Sequence, residues 1–165
     1  YAQFGLLNIK AGIAGRPHVD PADRKAYAAM QAAIPPGEPI LIRLGQAFLV
    51  DFRRNPIFVA DWPGGASPPP GLPCFRGPEP VAAYLLDQKI RYMAYSYADQ
   101  ANLPKRAIEP GSSTWDQTAT EHAFDFGDNL AALMRSRRRA FDDGKLVVID
   151  LATPTGADLS QSILP

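Results

Sequence analysis

The sequence predicts an α/β domain of three layers: a mostly parallel sheet of about four strands with helices on both faces, Rossmann-like in kind. Three observations lead there. Short apolar runs, PILIRL, PIFVA, IRYMAYS and KLVVIDL, alternate along the chain with segments of helical period. Two of these runs, PIFVA and LVVI, are almost continuously apolar, as strands buried on both faces of a parallel sheet are. The 165 residues suit one domain, and 46% of them are hydrophobic, an ordinary share for a globular core.

Each element has its own local reason. Residues 1–19 carry two glycines and a proline in NIKAGIAGRPHVD and read as a connecting arm. A helix then starts at Asp20, which caps it, with Pro21 at the first helical position and Asp23 at the positive end of the dipole. Tyr27, Met30 and Ile34 form its apolar stripe, and Pro35, Pro36 and Gly37 end it. PILIRL is the first strand, GQAFLVDFRRN a connection, and PIFVA the second strand. After a proline-rich loop, Gly77 and Pro78 open a helix in which Val81, Tyr84 and Leu85 face one way. IRYMAYS is the third strand. A long helix follows, capped by Ser113 or Thr114, bent at Gly127 and stopped by Gly144; Trp115, Ala119, Ala123, Phe126, Leu130, Leu133 or Met134, and Phe141 keep its period. KLVVIDL is the fourth strand. The domain is thus expected over 20–152, with a loose tail over 153–165.

Composition narrows the function classes. Basic and acidic residues balance at 17 each, so general attraction to nucleic acid or anionic lipid is not written into the charge. The single cysteine, Cys74, cannot form an intrachain disulfide. No apolar run approaches the roughly 20 residues of a membrane span. The chain opens on Tyr1 rather than Met, which suggests a piece of a longer protein. Glycine-rich nucleotide cradles, the G-x-S-x-G elbow and H-E-x-x-H are absent, and only His18 and His122 exist to serve as bases. His18, Asp20 and Asp23 cluster as metal ligands do, but the two acids already have a reason as helix-start residues, so no metal or cofactor is expected. Glu121, His122 and Asp125 also cluster; His122 and Asp125 stand three apart on one helix face as a pair would, but a solvated face is the reading preferred. RSRRR, Arg135 to Arg139, falls in the last turns of the predicted long helix, where cations suit the dipole; a phosphate or lipid-headgroup role is the alternative. It has no interleaved aromatics of the kind that bind nucleic acid, and no nucleic-acid partner is expected.

The stretch DFRRNPIFVADWPGGASPPPGLPCF carries the candidate site. In an open parallel sheet, ligands bind outside the carboxyl ends of the strands. Asp61 and Trp62 follow the second strand; Ser96, Tyr97 and Asp99 lie at the same end of the third; Arg43 lies near that end of the first. These six residues are expected to rim one crevice, with the proline-rich loop as a semi-rigid lip. The competing reading makes Asp61 a binder of loop amides and Trp62 a cover for the core edge.

IPPGEPIL, FLVDFRRNPIFVADWPGGASPPPGLP and GPEPVAAYLLDQKIRYMAYSYAD together resemble the soluble region at the carboxyl end of some bacterial polytopic membrane proteins. Those proteins are similar to the GT-C superfamily of lipid-linked-sugar glycosyltransferases. The resemblance covers Ile34 to about Asp99 and implies a non-catalytic accessory domain, on the periplasmic face of the bacterial inner membrane. Such a domain packs against the transmembrane portion of the same polypeptide and assists a partner or a lipid-linked or carbohydrate ligand. The resemblance brings no catalytic residue onto any position here. Two other classes stay open: a stand-alone sugar- or phosphate-binding protein or small enzyme using the Asp61–Tyr97 rim, and a protein-interaction domain.

Overall fold

The computed structural model describes residues 19–60, 69–98 and 113–155. In chain order the elements are α1 (Pro21–Ala32), β1 (Ile40–Arg43), a 3-10 turn (Ala47–Leu49), β2 (Ile57–Val59), α2 (Pro78–Asp87), β3 (Tyr92–Ser96), α3 (Thr114–Ser136), β4 (Arg137–Asp142) and β5 (Leu146–Pro154). The five strands form one sheet in the order β2-β1-β3-β5-β4.

The sheet is mixed, not mostly parallel. β1 pairs in parallel with β2 and with β3, as expected. β5 runs antiparallel to both of its neighbours, β3 and β4. For the β4–β5 pair the reason is the connection. Between Asp142 and Leu146 the chain has only Asp143, Gly144 and Lys145, too few for the crossover that parallel neighbours need. This turn is a hairpin loop: Gly144 takes φ +81°, and Asp143 Oδ1 accepts from the amides of Lys145 and Leu146 at 2.8 and 2.7 Å. Gly144 therefore does not stop a helix.

The long helix likewise ends earlier than its periodicity suggests. α3 runs unbroken through Gly127 and stops at Ser136; Arg137–Asp142, Phe141 included, is strand. Arg and Ala favour helix locally, yet pairing against β5 decides the state of this segment. The second apolar run is also placed differently. β2 is an edge strand, and its Phe58 and Val59 are 46% and 42% exposed, so an apolar run here does not mean burial on both faces. The KLVVIDL run behaves as expected, with Leu146 to Leu151 buried. β5 continues through Pro154, slightly past the predicted end of the domain.

Strand alternation divides the core in two. Met93, Tyr95, Val147, Ile149 and Leu151 pack with Val81, Leu85, Phe126, Leu130 and Leu133 of α2 and α3. Tyr92, Ala94, Leu146 and Val148 pack with Tyr27, Met30 and Ile34 around α1. Asp20 caps α1 as predicted, its Oδ1 accepting from the Ala22 amide at 2.8 Å. Buried Gln31 on α1 then binds the connection from β1 to β2. Its Nε2 donates to Asp51 O and Asn55 Oδ1, and its Oε1 accepts from Asp51 N. Asn55 Nδ2 donates onward to the carbonyls of Pro35 and Glu38 at 2.8 and 2.9 Å. This network fastens the helix to the sheet and explains why a polar run crosses a buried joint.

Asp150 is the other buried polar centre, with a side chain 0% exposed. Arg91 binds both of its oxygens, at 2.8 and 2.7 Å, and Arg138, Thr153 and the Ala152 amide also donate to it. Burial alone would raise its pKa, but the hydrogen bonds from Arg91, Arg138, Thr153 and Ala152 N outweigh it and hold the carboxyl well below the usual carboxylate range. Both arginines are partly exposed and can be rehydrated, so Asp150→Asn is expected to destabilise the fold by about 2 kcal/mol at pH 7. The depressed pKa fixes the sign of the pH dependence. Stability from the carboxylate is fully present above the unfolded value of about 4 and is lost as pH falls below it. Urea unfolding at pH 7 and pH 3 checks this: the gap between wild type and variant should narrow in acid.

Candidate functional site

The carboxyl ends of β1, β2 and β3 lie along one edge of the sheet, because the three strands are parallel and in register. Ile42 stands between Val59 and Ala94, and Arg43 opposite Tyr95. β1 separates β2 from β3, so the ends of the outer two are about 10 Å apart. Asp61, Trp62 and Asp99 of the predicted rim lie outside the described residues. Arg43, Ser96 and Tyr97 are described, and the strand pairing divides them. Arg43 points to the α3 side, its guanidinium carbon 5.7 Å from the centre of the Phe126 ring. Tyr97 packs against the same cluster. Ser96 pairs with Leu146 and so faces the α1 side.

On the α3 side the polar groups are tied to one another. The Tyr97 hydroxyl donates to Asp142 Oδ2 at 2.9 Å, and Arg139 Nη1 donates to the same oxygen at 2.8 Å. Burial raises the Tyr97 pKa, and the bond to Asp142 raises it further. For Asp142, burial works upward, but donation from Gly144 N, Tyr97 and Arg139 lowers the net value. Tyr97 is therefore a neutral donor and Asp142 a carboxylate at neutral pH. Tyr95, beside Tyr97 at a ring separation of 6.2 Å, is 2% exposed, and its hydroxyl has no hydrogen-bond partner among the described residues. Its pKa is strongly raised, first by burial and then by Tyr97. The Tyr97 and Arg139 donors are thus committed to Asp142, and the Tyr95 hydroxyl is closed off inside the core.

The far end of the proline-rich loop is fastened to α3. Phe75 N donates to Asp125 Oδ2 at 2.8 Å, and the Phe75 ring meets His122 edge to face at 4.9 Å. Phe75 sits at φ +59°, a left-handed conformation that disfavours a bulky side chain by roughly 1–2 kcal/mol. The bond to Asp125 helps hold it there. His122 Nδ1 lies 2.8 Å from Thr118 O, and Asp125 also accepts from Asn129 at 3.2 Å. The face expected to be solvated is thus only partly so: Glu121 is exposed, while His122 and Asp125 are half-buried where Phe75 docks. Cys74, next to Phe75, has its thiol pKa raised, by burial first and by Asp125 second. Among the described residues, no group of three or more His, Cys, Asp or Glu can hold a metal.

The arginine run does not end a helix as expected. Only Arg135 and Ser136 are helical, while Arg137, Arg138 and Arg139 begin an edge strand. Arg137 pairs with Glu79 on α2 and donates through Nε to Leu151 O at 3.0 Å. Asp150, which receives Arg138, has no role in the sequence reading. An acid inside the apolar run LVVIDL was the signal available, since such a residue needs a buried cation.

Comparison of the chain with family models, with curated proteins and with solved structures finds no match.

Asp125→Ala removes the acceptor for Phe75 and for the buried Asn129 amide, and should cost global unfolding no more than about 2 kcal/mol. Hydrogen exchange should nevertheless show the Phe75 amide losing its protection. An unchanged Phe75 exchange rate would mean that the loop end is held by other contacts.

Proposed function

We propose that the chain is a non-catalytic accessory domain of a membrane-embedded, glycosyltransferase-like protein, facing the periplasm, that assists acceptor or partner binding beside the transmembrane portion of the same polypeptide. The observation that carries the reading is that the resembling phrases coincide with one structural unit. Their described part covers β1, β2, α2 and β3, the whole parallel half of the sheet. The strand ends of that unit share one edge, where Arg43 and Tyr97 lie, so a partner surface would meet the parallel half of the sheet there. A three-layer, Rossmann-like architecture belongs to the same proposal, supported by the division of the core between the two sheet faces. No helix among the described residues is long and apolar enough to cross a membrane, so on this reading the membrane spans belong to other parts of the polypeptide.

Two measurements test it. Incubated with activated sugars, nucleotides and generic esters, the isolated chain should give no product above blank. A protein-dependent rate abolished by Arg43→Ala or Asp61→Ala would replace this reading with that of an enzyme. The parent reading frame should also encode several membrane spans beside this segment, and a frame with none would remove the membrane context.

A further inference from the structure

One long edge of the sheet has no neighbour. β2 pairs with β1, and no strand among the described residues lies beyond it. The bonds to β1 show which backbone groups are left over. Pro56 O accepts from Ile40 N at 2.9 Å, and Ala60 N donates to Ile42 O at 2.8 Å. Successive residues of a strand turn their peptide groups to opposite sides, so Phe58 shares the inward side with Pro56 and Ala60. Ile57 and Val59 turn theirs outward: two donors and two acceptors with no strand to meet.

The side chains along this edge are apolar, where an edge is normally guarded by charge. Phe58 stands beside Leu41 and faces the α2–α3 side; Val59 stands beside Ile42 and faces α1. On the α1 side the connection from β1 to β2 is anchored by Gln31 and by buried Val50, and it leaves Phe48 and Phe52 67% and 55% exposed. With Phe58 and Val59 these side chains leave roughly 400 Å² of apolar surface in water per copy, at about 200 Å² for a whole Phe. Two copies would bring roughly 800 Å², close to the apolar share of a standard interface of about 1,600 Å². Charges beside the aromatics are of both signs, with exposed Asp51 and Arg53 on either side of Phe52, which suits a like surface better than an anionic membrane. The opposite edge is different. β4 carries Arg137, Arg138 and Arg139, and such an edge discourages pairing.

We infer that β2 is the interface of a symmetric dimer, with the β2 of a second copy as its occupant. A two-fold axis at the middle of the strand sets Phe58 opposite the partner's Phe58, in antiparallel pairing. Ile57 then meets the partner's Val59, and Val59 the partner's Ile57. These are the residues whose peptide groups face outward, so the two pairs close four hydrogen bonds and leave none of those groups over. The two Phe58 residues form the non-hydrogen-bonded pair, in which Cα atoms stand about 4.5 Å apart and side chains are closest. Pro56 and the three-residue length of β2 keep the ladder short. The same patch serves both copies, and the arginine edge is not used, so the assembly closes at two. The inference stands whether or not the chain belongs to a membrane protein.

The test uses the 165-residue chain. Sedimentation velocity from about 1 to about 200 μM should show a monomer–dimer equilibrium with a dissociation constant on the order of 10 μM, as suits an interface at the small end. Hydrogen exchange should show the Ile57 and Val59 amides protected at the high concentration only, and Phe58, bonded to β1, protected at both. Phe58→Asp sets two carboxylates across the axis and should weaken the dimer about tenfold or more. Val59→Pro removes an outward donor, touches no bond to β1, and should act likewise. Lys145→Ala, in the β4–β5 turn, should leave association unchanged. In a Cys74→Ser background, Phe58→Cys should give a disulfide-linked dimer on oxidation, since a Cα separation of about 4.5 Å lies within the range of such bonds. A chain that is monomeric throughout, a dimer indifferent to Phe58→Asp and Val59→Pro, or growth beyond the dimer would overturn the inference. So would a monomer that cosediments with phosphatidylglycerol vesicles and ceases to in Phe48→Ala, which would assign the surface to a membrane. Circular dichroism and unfolding of each variant separate lost association from lost fold.

Discussion

One buried carboxylate sets the register of half the sheet. Asp150 is fully enclosed, in the middle of β5, an interior strand between β3 and β4. A carboxylate in that position is tolerable only with cations and donors around it, since the effective penalty of burying an ion is several kcal/mol. Its partners come from both sides. Arg91 leads into β3, and Arg138 belongs to β4. Tyr92 and Arg138 both stand opposite Asp150 in the ladders, so the ionic cluster and the strand pairing specify the same alignment. A slip of one residue would turn Asp150 toward the Val147, Ile149 and Leu151 side, among Leu130 and Leu133. The apolar pattern and the charge both forbid it.

The other joints follow a similar logic with neutral groups. Gln31 and Asn55 satisfy the backbone where α1 meets the connection from β1 to β2. Asp125 accepts the amide at the end of the proline-rich loop. In each case a polar side chain on one element completes the backbone of a segment far away in sequence. Residue types that suggest chemistry in isolation, such as the amide pair or the Glu121–His122–Asp125 cluster, are thereby used for assembly. The arginines of β4 follow the same logic with charges, each meeting a carboxylate: Arg137 Glu79, Arg138 Asp150 and Arg139 Asp142.

Local signals were legible wherever a short range decides the outcome. The start of α1 follows from Asp20 and Pro21, and the capping bond is present. The apolar triplets Tyr27–Met30–Ile34 and Phe126–Leu130–Leu133 reach the core as their spacing requires. Parallel pairing of β1 with β2 and β3 fits the long connections between them, and it brings Arg43 to the same edge as Tyr97. What separates Ser96 from these two is the face that each strand position takes in the sheet, which depends on pairing with β5.

The sequence by itself determined where helices begin, which residues are apolar enough to be buried, and that the fold is mixed α/β. Those features depend on neighbours within a few residues: caps, turn chemistry and periodicity. Only the tertiary structure decided that RRRAFD is strand, because its helix-favouring residues are overruled by pairing with β5. It also decided that β2 is an edge with Phe58 exposed, since an apolar run reads the same at the centre and at the rim of a sheet. The partner of Asp150 lies 59 residues away at Arg91, beyond the reach of any local pattern.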